Sequence, residues 1–135
     1  MSPAFVDTNI FLRHLLADEP RQSPRATAFF TRLERGELTA RTSDIVIFET
    51  VFTLQRSYGL PKPAIRDAVL ALLELPGLLL PGKRRFRRVF DLFVDRNLPF
   101  VDAYHIVLMQ QLGLDEIVSF DMDFEHIEGL RRIAP

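Results

Sequence analysis

Short apolar runs alternate along this chain with longer stretches in which apolar residues recur every third or fourth position. Ala4-Phe5-Val6 is the first run, and it ends on a carboxylate, Asp7. That pattern predicts a strand over Ala4 to Asp7 with Phe5 and Val6 buried. Thr8 and Asn9 are good helix N-caps, and Ile10, Leu12, Leu15 and Leu16 then fall at helical spacing. A helix from about Asn9 to Ala17 follows, broken by Asp18-Glu19-Pro20. The same logic gives a helix over Pro24 to Arg35 closed by Gly36, and a weakly patterned strand over Leu38 to Thr42. A helix from Asp44 to about Tyr58 is capped by Ser43, and another spans Ala64 to Leu75. Leu78-Leu79-Leu80 reads as a short buried strand, and the Lys83–Arg88 run opens a helix to about Arg96. A sixth helix ends near Leu112 before Gly113, a strand covers Glu116 to Phe120, and Arg131-Arg132-Ile133 reads as an edge strand. Strands that alternate with helices imply an α/β fold with a mostly parallel sheet.

Four acids stand out against this pattern. Asp7 and Asp121 each follow a predicted strand, the sheet edge at which α/β proteins bind ligands. Asp123 lies two residues beyond Asp121. Asp102 falls in the first turn of the sixth helix, where the helix dipole favours a carboxylate. Glu49 is the only charge in Ile45-Val46-Ile47-Phe48-Glu49-Thr50-Val51-Phe52-Thr53-Leu54, a helix apolar nearly all round. Such a helix is expected to be buried, which carries Glu49 into or beside the core, where it needs an Arg, a metal or its own proton. Each acid has an ordinary explanation, as a cap or an ion pair. Together they point to a shared divalent cation, because clustered carboxylates repel unless one neutralises them. Oxygen ligands suit Mg²⁺ or Mn²⁺, and such a site can hold an attacking water and stabilise phosphoryl oxygens. His105 shares a helix face with Asp102, and no chemistry is assigned to it.

Composition narrows the choice. The 135 residues suit one domain, residues 1–135, and the absence of Cys excludes disulfides, thiol catalysis and Cys-based zinc sites. That absence fits a reducing, cytoplasmic setting. No signal-peptide pattern opens the chain, and no apolar run reaches the roughly 20 residues that span a membrane. The net charge of −1 gives no strong global field for nucleic acid, although 15 of the 17 basic residues are Arg. The run Lys83-Arg84-Arg85-Phe86-Arg87-Arg88 reads either as a patch for RNA phosphates or as a solvated helix face.

The chain resembles PIN-domain proteins of the VapC toxin type over essentially its whole length. The resemblance rests on Phe5-Val6-Asp7-Thr8-Asn9, on Glu49, on Phe100-Val101-Asp102-Ala103 and on Ser119-Phe120-Asp121-Met122-Asp123-Phe124, in that order. It implies a three-layer α/β/α sandwich around a short, mostly parallel sheet. It also implies a Mg²⁺- or Mn²⁺-dependent endoribonuclease, homodimers, and inhibition by a VapB-like antitoxin. Carried over by position, Asp7, Glu49, Asp102 and Asp121 form the acidic quartet, and Asp123 shares or replaces the role of Asp121. Asp7 and Asp102 are expected to bind the metal directly, Glu49 and Asp121 partly through water, with Thr8 and Ser119 as supporting hydroxyls. Ser119 stands where the family more often has Thr. The antitoxin is expected in an apolar groove formed by the first two helices and the Glu49 helix. Two other readings compete: a signalling receiver domain, which lacks its Lys after a late strand, and a catalytically idle PIN-fold module that binds RNA or protein.

Overall fold

A computed structural model describes residues 3–135. They form two compact units, divided within one helix between Arg87 and Arg88. The elements run β1 (Ala4–Phe5), α1 (Thr8–Leu16), α2 (Gln22–Glu34), β2 (Ala40–Arg41), α3 (Asp44–Arg56), α4 (Lys62–Leu73), β3 (Leu78–Leu79), α5 (Arg85–Asp95), α6 (Phe100–Leu112), β4 (Glu116–Val118), a 3-10 turn (Met122–Phe124) and β5 (Arg131–Ile133). This is the α/β alternation expected, with helix ends shifted by one or two residues.

In the first unit β1, β2 and β3 form a parallel sheet in that order, with Ala4 opposite Ala40 and Ala40 opposite Leu78. The strands are shorter than the apolar runs suggest, but backbone bonds continue past them. The Val6 N–H donates to the Arg41 carbonyl at 2.7 Å and the Thr42 N–H to the Leu79 carbonyl at 3.1 Å. Thr42 Oγ1 also donates to the Val6 carbonyl. The residue before Asp7 is therefore tied twice to the neighbouring strand. Phe5 was expected to be buried with Val6. Val6 is buried, but Phe5 is 61% exposed, since successive strand side chains point to opposite faces.

The core of this unit includes Phe11, Leu33, Ile47, Leu54 and Ile65, all fully buried. Phe11 meets Phe30 edge to face at 5.2 Å, which joins α1 to α2. The chain is drawn tight where α2 ends and β3 begins. A Cβ on Gly77 would stand 2.6 Å from the Leu38 carbonyl oxygen and 2.8 Å from that of Leu33, so only glycine fits.

In the second unit Phe90, Phe93 and Phe100 make a ring cluster, with Phe100 lying 4.9 and 5.3 Å from the other two. It anchors the start of α6. Strands β4 and β5 pair in parallel, with Ile117 opposite Arg132. The expected edge strand Arg131-Arg132-Ile133 is found with those bounds. No helix among the described residues is long and apolar enough to cross a membrane.

Candidate metal centre

Each unit carries its own group of acids. In the first, Asp7 rather than Thr8 or Asn9 is the N-cap of α1. Its Oδ1 accepts the Thr8 N–H at 2.7 Å, and Thr8 becomes the first helical residue. The strand register ends at Phe5, two residues before Asp7, which keeps the extended conformation a cap requires. Asp7 thus fills the capping role open to it and remains solvent-exposed. Thr8 is buried, and its hydroxyl donates to Glu49 Oε2 at 2.9 Å across 41 residues of sequence. This hydroxyl supports an acid, as expected.

Glu49 itself corrects an expectation. Helix α3 is apolar nearly all round, yet it buries only Val46, Ile47, Thr50, Val51 and Leu54. Ile45, Glu49 and Phe52 lie at i, i+4 and i+7 on one exposed face, with Ile45 at 66% and Phe52 at 53% exposure. A thirteen-residue helix packed on a three-stranded sheet covers one side only, so apolar composition overstated its burial. Glu49 forms no ion pair with an Arg among the described residues, so the structural-pair alternative is not seen.

In the second unit α6 puts Asp102 in its first turn, after Pro99 sets an extended entry. Asp121 follows β4 and caps the 3-10 turn, accepting the Asp123 N–H at 2.9 Å. Its own N–H donates to Ser119 Oγ at 2.9 Å, so the serine at this position does hold the loop. Asp102, Asp121 and Asp123 each offer a carboxylate oxygen, and these lie within 4.8 Å of one another. Both candidates for the fourth acid are brought in together. Among the described residues no Lys or Arg pairs with any of the three. Burial raises the pKa of Asp102, the charges of Asp121 and Asp123 raise it further, and His105 opposes them. His105, given no chemistry from the sequence, therefore acts on the acid one turn before it.

This donor set fits a small hard cation. Asp102, Asp121 and Asp123 would hold it through carboxylate oxygens, the hard ligands that Mg²⁺ and Mn²⁺ favour, and these already converge within 4.8 Å. Three uncompensated acids also present the charge that such an ion neutralises.

Two further surfaces bear on function. A groove of about 480 Å³ lies along β1, α1 and α2, lined by Phe5, Ile10, Ala26 and Phe29 with Arg13 and Arg25. The Glu49 helix, expected as its third wall, does not line it. The basic run at the start of α5 is partly spent inside the protein. Lys83 Nζ donates to the Leu75 and Leu78 carbonyls, Arg85 lies 3.6 Å from Asp44, and Arg87 bonds Glu74. Arg84 and Arg88 are exposed and make no ion pair among the described residues.

One pair escaped sequence reasoning. Arg132, expected only as part of an edge strand, bonds Glu125 and the Ser119 carbonyl. No local pattern signals it, because the partners lie 7 and 13 residues away in a loop.

Comparison with known proteins identifies the family. A "VapC ribonuclease" of Aquifex aeolicus (strain VF5) is 24% identical over 130 residues, covering 96% of this chain and 95% of that protein. The family model for the PIN domain matches residues 4–130. With that match comes the three-layer α/β/α fold class expected from the sequence, and the chain belongs to the PIN-domain family.

Proposed function

We propose that residues 1–135 work as a single PIN-like nuclease domain, a Mg²⁺- or Mn²⁺-dependent endoribonuclease that is the toxin of a type II toxin–antitoxin pair. The observation that carries the reading is the convergence of Asp102, Asp121 and Asp123, with no Lys or Arg paired to them among the described residues, in a PIN-family chain. The similarity to a VapC ribonuclease supports RNA as the substrate. Asp7 and Glu49 join these acids as the catalytic set on the family's pattern. When bound there, a divalent cation would activate a water and stabilise the charge that develops on the phosphoryl oxygens. Asp102, Asp121 and Asp123 supply carboxylate oxygens for it, while Thr8 fixes the rotamer of Glu49 through its hydroxyl. Ser119 and the Asp121 cap hold the loop that presents two of the three acids.

The same reading makes the groove along α1 and α2 the seat of an amphipathic VapB-like antitoxin segment, its apolar side on Phe5, Ile10 and Phe29. It also includes a homodimer. The test is cleavage of single-stranded and structured RNA by purified protein with Mg²⁺ or Mn²⁺, with and without excess chelator. Metal-dependent cleavage that Asp102→Asn removes is expected. No cleavage of any RNA favours the catalytically idle module, and cleavage that persists in chelator overturns the metal role.

A further inference from the structure

The segment 119–125 carries two of the three clustered acids, yet little apolar packing holds it. Phe120 is 80% exposed and Met122 62% exposed, and Phe124 alone in the segment is buried. Its internal bonds are short-range: Asp121 N–H to Ser119 Oγ, Asp123 N–H to Asp121 Oδ1, and Glu125 N–H to the Met122 carbonyl. One backbone bond, from the Ser119 N–H to the Ile133 carbonyl at 3.0 Å, ties the first residue to β5, and none of these bonds reaches from Asp121 or Asp123 to another element. One side chain touches both its ends. Arg132, on β5, donates from Nη1 to the Ser119 carbonyl at 2.8 Å and from Nε to Glu125 Oε1 at 2.5 Å. Its side chain is only 15% exposed, which shields the bond to the Ser119 carbonyl, while Glu125 meets it from the solvent side at 33% exposure.

We propose that the Arg132 fork, closed by Glu125, is the positioning device of the acidic centre: it fixes where Asp121 and Asp123 stand relative to Asp102. The inference rests on the metal-site reading above and adds a residue to it. A guanidinium suits the task because its planar fork reaches two acceptors at once, which a lysine ammonium at the end of a flexible stem does not. Groups that orient metal ligands typically contribute 10–100-fold in metal affinity.

The test uses Arg132→Lys, with Glu125→Ala as a second variant should the first fail to fold, and two readouts. Hydrogen exchange of the metal-free protein follows the Asp121 and Asp123 amides, with the Arg131 amide, bonded to the Asp115 carbonyl, as the β5 control. Calorimetric titration follows Mn²⁺. Both acid amides should lose protection while the Arg131 amide keeps it. The Mn²⁺ dissociation constant should rise about 10–100-fold, and excess Mn²⁺ should restore the RNA cleavage rate. Unchanged protection of both amides, or Mn²⁺ affinity within about twofold of wild type, overturns the fork. If the amides respond but wild type binds no Mn²⁺, the fork stands as the loop's clamp and the metal-site reading falls. If wild type binds Mn²⁺ and the amides do not respond, the fork falls and the metal site stands.

Discussion

Replacing Asp102 with Asn should stabilise the metal-free protein at neutral pH. The carboxylate oxygens of Asp102, Asp121 and Asp123 lie within 4.8 Å of one another. At that distance each like-charged pair repels by about 0.9 kcal/mol even at the dielectric constant of water. Asp102 faces two such partners, so neutralising it relieves roughly 1.5–2 kcal/mol. Part is given back, because a carboxylate in the first turn of α6 gains about 0.3–1 kcal/mol from the helix dipole. A net gain of about 1 kcal/mol raises the melting temperature of a domain this size by about 3–5 °C. The pH dependence gives a second check. Burial and the two neighbouring acids push the Asp102 pKa above its ordinary 3.8. The folded state then binds this proton more tightly than the unfolded state, so the contribution of Asp102 to stability is whole below pH 3.8 and is lost as pH rises through the raised value. The advantage of Asp102→Asn should therefore be present at pH 7 and close on acidification. Added Mn²⁺ should reverse the ranking. At a hundredfold excess over its dissociation constant it stabilises wild type by about 2.7 kcal/mol, and the variant, short of one ligand, by less. Thermal melts in chelator and in Mn²⁺, at pH 7 and below pH 3.8, decide the matter. A variant that melts below wild type in chelator at pH 7 and gains as much from Mn²⁺ refutes a shared site.

Three further outcomes follow from the other unit. Asp7→Asn keeps an equally good N-cap, so circular-dichroism melts should move by less than about 0.5 kcal/mol while RNA cleavage is lost; a large drop in stability would show that Asp7 matters as a cap alone. Thr8→Val removes the buried hydroxyl bonded to Glu49, and should cost about 1 kcal/mol in urea unfolding and lower kcat more than KM. Phe11→Ala empties a fully buried site against Phe30, and should cost about 3–5 kcal/mol by the same measurement.

Punctuation made the elements legible. Ser43 caps α3 by accepting the Val46 N–H, as its place before the apolar run implied, and Gly113 ends α6 in the left-handed conformation. Arg131–Ile133 was readable because a short β-prone run stands alone near the end of the chain. The helix start at Asp102 and the strand end before Asp121 are readable as local signals, while their meeting with Asp123 in space follows from the resemblance to PIN-domain proteins. What was not readable is what depends on distance along the chain. The Thr8–Glu49 bond spans 41 residues, and the Arg132 fork reaches back across a loop. Glu49 was misjudged for a different reason: composition cannot tell a helix surrounded by protein from one that leaves an apolar face outside.

Gly77 has a consequence for the genetics of a chain proposed to be toxic. Backbone oxygens of Leu33 and Leu38 occupy the space where a side chain would start, and backbone yields less readily than a flexible side-chain tip. Among cells selected to survive expression of this chain, changes at the acids should disarm it at every temperature. Changes at Gly77 should instead yield conditional survivors, harmless when warm and harmful again when cooled, because the lesion lies in assembly and leaves every acid in place.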